Sequence, residues 1–327
     1  VGASRAVAGA CVVTLVSLST VGLPMTPANA APPHYSHTWY VTNPDAVPAL
    51  GASDALYNNQ FCATAMVILD WGQLNRHSTD TDTQYDHYGM DDFAGGAPFV
   101  AMNIVADRST KYIEQWEANA TCGSLDLVVG TNNSAPECPT SPCNIYYYGE
   151  NLALAISNMT NWMSSHGYLN NPYFLDLAGG SDIEGDGLPY WDTAANSRQA
   201  VDGYNTSWDS VGARFVDYGD PFTSQYFASG DQYYVNWQAT HDWPLPQDYG
   251  SGFYPAYDSL DQNNGDDWEF LGALSQCGGA DPLPTGTYCL DALGHNTYTP
   301  TTAFNNIANT APNLQTEMSY SPNIKNQ

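Results

Sequence analysis

Short apolar runs bounded by turn residues alternate along this chain with longer amphipathic stretches, and that alternation sets the expected architecture. Cys62-Ala-Thr-Ala-Met-Val-Ile-Leu-Asp-Trp-Gly72 is continuous, short and partly β-branched, which predicts a buried strand ending at Asp70. Ala97 to Val105 predicts a second strand, Leu125 to Gly130 a third, and the apolar run from Tyr173 a fourth. Ala213 to Gly219 and Gln232 to Gln238 predict the fifth and sixth, and Glu269 to Gln276 a further one. Helical spacing falls between them, at Ser109 to Asn119 (capped by Asp107 or Ser109), Gly149 to His166, Thr193 to Asn205 and Thr301 to Ala308. The clearest is the stretch to His166, where Leu152, Leu154, Ile156, Met159 and Trp162 form an apolar stripe and Gly167 supplies a stop.

Strands alternating with helices predict an α/β fold with a parallel sheet. Strand after strand ends in a polar residue: Asp70, Asn132 just beyond the third, Asp182 with Glu184, Asp217, Asn236 with Gln238. In a closed parallel barrel these ends converge on one face, so a (β/α)8-type barrel with irregular features is the expected fold. An open doubly wound sheet is the alternative, but no Gly-x-Gly-x-x-Gly stands between a strand and a helix. The expected division is residues 1–30 as a signal peptide, 31–60 as an irregular segment rich in proline (Pro32, Pro33, Pro44, Pro48), and 61–327 as one barrel domain.

Composition adds compartment and partners. Arg5, the apolar core from Val7 to Val21 and Ala28-Asn29-Ala30 make an export signal with its cleavage site, so a secreted, extracellular protein is expected. Thr14, Ser17, Ser19, Thr20 and Pro24 interrupt that core before the roughly twenty apolar residues an anchor needs. Beyond it six cysteines remain, without Cys-x-x-Cys spacing, which predicts disulfides. Local proximity pairs Cys138 with Cys143 and Cys277 with Cys289, leaving Cys62 for Cys122. With 34 acids against 7 Lys and Arg, the net charge of -27 repels nucleic acid and anionic lipid, so neither is an expected partner. Aromatic residues reach 13%, which suits sugar stacking and equally an ordinary β-rich interior.

The candidate chemistry lies after the fourth strand, in Ser-Asp182-Ile-Glu184-Gly-Asp186-Gly187. Alternate residues of a strand share a side, which would bring Asp182 and Glu184 within about 7 Å along the chain. Hydrolysis of a glycosidic bond needs such a pair, one carboxyl protonated and one ionised. The same letters match a calcium loop at its first, third, fifth and sixth places, but the twelfth is Thr193, where a Glu belongs. Asp261 to Asp267 is a second loop of that kind, and both read equally as solvated turns. Because Gly179, Gly180 and Ser181 precede Asp182, Asp176 is an alternative strand acid. No Gly-x-Ser-x-Gly elbow is present, His77, His87, His241 and His295 are scattered, and no metal or cofactor is expected. Trp71, Trp191, Trp237 and Trp243 sit near expected strand ends, as sugar platforms or as core.

The order of these motifs is similar to a known family. A strand ending Ile68-Leu69-Asp70, a strand ending Asp182-Ile-Glu184, an aromatic-Gly end at Asp217-Tyr218-Gly219 and a Trp237-Gln238 end resemble the glycoside hydrolase family 25 (lysozyme-like) barrels and related bacterial glycoside-hydrolase-like domains. The likeness spans roughly residues 62–240. It departs from the family at Leu69-Asp70-Trp71-Gly72-Gln73, which replaces a glycine-led motif. The resemblance implies a barrel in which Glu184 is the general acid, Asp182 its partner and Asp70 a further site acid. Trp71, Asp217, Tyr218, Trp237 and Gln238 would then line a carbohydrate polymer. The expected function is cleavage of a polysaccharide, for which the resemblance suggests a cell-wall glycan; the alternative is a non-catalytic extracellular glycan-binding or structural surface protein, in one version calcium-binding. The negative charge opposes anionic wall polymers as substrate.

Overall fold

The computed structural model describes residues 36–76, 88–91, 93, 98–132, 145–184, 194–208, 213–223, 227–239, 242–264, 268–278, 286–291, 293–310 and 322–326. Its centre is a ring of parallel strands. β1 (Ser36–Tyr40) pairs with β2 (Thr64–Arg76), β2 with β5 (Ser124–Asn132), β5 with β6 (Phe174–Ser181), β6 with β7 (Phe215–Asp217) and β7 with β8 (Asp242–Pro244). The ring closes through a short segment, 271–275. Leu271 N–H donates to the Pro244 carbonyl (3.0 Å) and Leu274 N–H to that of Pro246 (2.8 Å). On its other side Ser275 N–H donates to Pro322 (3.0 Å), the first residue of β11 (Pro322–Asn326), and Ile324 N–H donates back to Ser275 (2.9 Å). β11 pairs in parallel with β1, so eight staves close a (β/α)8 barrel.

Helices fill the crossovers: α1 (Val47–Asn58), α2 (Met102–Asn119), α3 (Ile145–His166), α4 (Ala194–Trp208), α5 (Ser229–Tyr233), α6 (Phe253–Asn264) and α7 (Pro300–Thr310). Two hairpins are inserted, one using β3 (Tyr88–Asp91) and β4 (Phe99–Ala101), the other β9 (Tyr288–Leu290) and β10 (Asn296–Tyr298). Among the described residues no helix is long and apolar enough to cross a membrane.

Strand alternation separates two cores. From β2, Val67, Leu69 and Trp71 pack outwards with Tyr112, Trp116, Leu152 and Ile156 of the helices. Met66 and Ile68 point inwards, where they meet Val128, Ala178, Val216, Tyr218, Leu245, Leu271, Leu274 and Ile324. Two glycines make room. A side chain on Gly179 would strike the Tyr204 ring outside, and one on Gly180 would meet the Val216 carbonyl oxygen at 2.5 Å and Val128 Cγ1 at 2.7 Å inside. Both therefore lie within β6, which brings Asp182 to the strand end, bridged to Asn132.

Several expectations are corrected. The described part of the segment 31–60, residues 36–60, is not irregular: it contains β1 and α1, and Pro44 and Pro48 stand where helices begin. Pro44 opens a 3-10 turn capped by the Asn43 side chain, and Pro48 lies in the first turn of α1, where a missing N–H costs nothing. The predicted second strand is β4 running straight into α2, whose buried residues Met102, Val105, Ala106 and Ser109 follow helical spacing. The predicted sixth strand is α5 followed by a π-helical turn, Tyr234–Gln238, and the stave itself begins at Asp242. The disulfides Cys62–Cys122 and Cys277–Cys289 are formed, and the expected Cys138–Cys143 pair lies outside the described residues.

Candidate active site

At the C-terminal end of the barrel, inward alternation carries β2 from Met66 and Ile68 to Asp70. Asp70 is 0% exposed. Gly72 N–H donates to its Oδ1 (2.9 Å), while Oδ2 is buried with no hydrogen-bond partner among the described residues. Burial raises this carboxyl to about 7, partly offset by the Gly72 N–H and by the nearby Tyr218 hydroxyl, whose own hydrogen bond goes to the Thr131 carbonyl (2.8 Å). The Tyr218 ring lies across two strands because Gly130 and Gly180 present no side chain beneath it.

Asp182, 3% exposed, is held by two amides. Gln247 Nε2 donates to its Oδ1 at 2.6 Å, and Asn132 Nδ2 donates to Oδ2 at 3.4 Å. Its carboxyl is pushed well above the ordinary range, first by burial and then by the charges of Glu184, Asp70, Asp217 and Asp220. Ile183 packs into the outer core, so Asp182 and Glu184 stand on either side of a residue facing away, and Glu184 is half-buried at the mouth.

Two aromatic residues unforeseen in the sequence complete this group. Tyr40, the last residue of β1, stands opposite Asp70 in the β1–β2 pairing, and its phenol is raised well above its usual value by burial and then by Asp182, Asp70 and Glu184. Tyr249, just past β8, is raised by burial and then by Tyr40, Asp182, Glu184 and Tyr257. Tyr40 escaped because its strand is only five residues long and carries no continuous apolar run. Gln247 and Tyr249 stand in the Pro-rich tail of a three-residue stave, without a motif.

The remaining expected site residues divide: Asp217 and Tyr218 stay near the mouth, and Trp71, Trp237 and Gln238 do not line it. Trp71 is 0% exposed and belongs to the outer core, because the alternation that turns Asp70 inwards turns its neighbour out. Asp217 also has outward parity: its Oδ1 accepts from Gly219 N–H (3.0 Å) and Ile183 N–H (3.3 Å), tying the end of β6 to that of β7. Tyr218 is buried as the floor of the site. Trp237 and Gln238 lie on the π-helical turn that feeds the start of β8, at the opposite end of the barrel, where Trp237 meets Trp243 edge-on at 6.1 Å. That end holds Asp176 as well, paired with Arg214 at 2.6 Å, so the alternative strand acid is remote from Asp182. His77, His87, His241, Asp186 and Trp191 lie outside the described residues, and His295 is exposed and paired with Asp291. In the second acidic loop Asp261 accepts from Trp268 N–H at 3.1 Å. Among the described residues no three His, Cys, Asp or Glu are grouped to hold a metal ion.

No family model matches the chain, and no curated protein sequence matches it. Among solved structures it is similar to a GH5_18 protein from Streptomyces cattleya in complex with GlcNAc, with a TM-score of 0.40 and 10% identity over 91% of this chain and 70% of that one. A GH18 chitinase from Pseudoalteromonas aurantia gives 0.41 and 14% over 89% of this chain and 94% of that one. A β-1,4-D-mannanase from Cryptopygus antarcticus gives 0.38 and 11% over 90% and 84%. The strand hydrogen bonds define the barrel without them.

Proposed function

We propose that the protein is a glycoside hydrolase acting outside the cell on a carbohydrate polymer. Glu184 gives its proton to the departing glycosidic oxygen as the bond from that oxygen to the sugar carbon breaks. Water then adds at that carbon, and the proton it loses passes to a carboxylate of the site, which restores the acid for the next turn. Asp182 and Asp70 complete the acid set, in the roles that the family 25 resemblance suggests. The observation that carries this reading is the meeting of acids from two staves, β2 and β6, at one barrel mouth beside Tyr40 and Tyr249. Burial raises the Asp70 and Asp182 carboxyls, so the mouth holds protons at a pH where exposed carboxyls have lost them, the condition that acid catalysis there requires. The disulfides Cys62–Cys122 and Cys277–Cys289 support an oxidising, extracellular setting.

The test is release of reducing sugar from a library of neutral polysaccharides. Glu184→Gln should lose roughly 10²–10⁴-fold in rate with its melting temperature unchanged. A second reading, a non-catalytic glycan-binding barrel, is favoured by one observation: amides engage both oxygens of Asp182. It predicts glycan binding without turnover that survives Glu184→Gln.

A further inference from the structure

Tyr249 is fixed at both its ends. Its carbonyl accepts from Tyr298 N–H of β10 (3.2 Å), and its ring packs on the inner barrel core with the Phe253 ring 5.5 Å away. Its hydroxyl oxygen is buried and has no hydrogen-bond partner among the described residues. Tyr218 and Tyr257 differ: Tyr218 donates to Thr131 O and Tyr257 to Gly219 O. Burial and the surrounding acids keep the Tyr249 phenol protonated, so it is always a donor. A buried donor left unmade is unfavourable, and a fold keeps one where something other than protein accepts from it. The ring also begins an aromatic path outwards, through Phe253 to Phe222 (4.9 Å), which is 40% exposed.

We propose that Tyr249 is a substrate-positioning residue, its hydroxyl donating to an oxygen of the sugar ring bound beside Asp182 and Glu184. The apolar face of the next sugar lies on the Phe253–Phe222 path. This rests on reading the mouth as a glycan site. Because the donor is already placed and must abandon no protein bond, binding gains the whole hydrogen bond.

The variant is Tyr249→Phe, which removes only the oxygen. Its melting temperature should equal or exceed that of the parent, since no protein hydrogen bond is lost. Binding is read by calorimetry in the Glu184→Gln background, with β-1,4-linked hexasaccharides of glucose, mannose, galactose and N-acetylglucosamine as probes. Tyr249→Phe should weaken the best of them by about tenfold to a hundredfold. With Glu184 intact, KM should rise more than kcat falls. A melting temperature several degrees lower, or unchanged affinity, overturns the proposal, and if the parent still cleaves sugar the hydrolase reading survives. Binding lost in Tyr249→Phe, in a parent that cleaves nothing, leaves the proposal standing and removes the hydrolase. A parent that neither binds nor cleaves any probe overturns both.

Discussion

Asp70→Asn isolates the cost of keeping a carboxyl inside the barrel. The folded protein holds this group at about 7 against an ordinary 3.8, so between those values the folded state keeps a proton that the unfolded chain releases. Stability is therefore greatest below about pH 4 with respect to this group and falls as pH rises through about 7. Raising the group from 3.8 to about 7 makes the loss roughly 4 kcal/mol. Asparagine cannot ionise, and its carbonyl oxygen retains the bond that Asp70 Oδ1 accepts from Gly72 N–H. At pH 8 the variant should be more stable by that amount, a melting temperature higher by roughly 5–10 °C for a chain of this size. At pH 4 the two proteins should melt together. Urea unfolding at both pH values, with equal slopes, is the assay. Equal stability at pH 8, or a less stable variant, would show that the fold satisfies the Asp70 carboxylate and would refute the reasoning. The same change should reduce turnover if the mouth is catalytic, an exchange of activity for stability.

Two further predictions concern the frame. Gly180→Ala should cost about 1–3 kcal/mol, because the methyl group must displace the Val216 carbonyl or Val128, and the barrel has no slack there. Chemical denaturation reads the loss, and a neutral result would mean that β6 moves freely. Removing the Cys62–Cys122 link, by Cys62→Ser with Cys122→Ser, should cost roughly 4 kcal/mol from the 60-residue separation it closes, seen in guanidinium as a lower midpoint.

What the sequence allowed to be read follows from how each element is stabilised. β2, β5, β6 and β7 are buried on both faces, and their apolar runs say so. α3 declared itself through the stripe Leu152, Ile156, Met159, while exposed Leu154 is off the buried face. β1 is only five residues long and carries no continuous apolar run, and α1 was illegible because prolines that break a helix internally also start one. Tyr233 to Trp237 carries strand-like residues in a helical turn, since packing against the α6 and α7 core outweighed local preference. At the site, Asp70 and Asp182 were legible because strand ends are defined by the pattern. Trp71 misled because one step of alternation separates pocket from core. Tyr249 and Gln247 arrive by loop geometry that only the folded backbone determines.

The closure of the ring through β11 has a consequence for how the chain acquires its shape. β1 and β11 are the staves furthest apart in sequence, yet they are neighbours, in register from Ser36 opposite Pro322. Such pairing is the most non-local contact the barrel makes, and the entropy of bringing those staves together must be met before it contributes. Until β11 inserts, β1 and the segment 271–275 each present an open edge able to pair with another molecule. The last stave thus acts as a latch, since only its arrival pairs both edges, and folding yield should fall steeply with protein concentration in any variant that delays it.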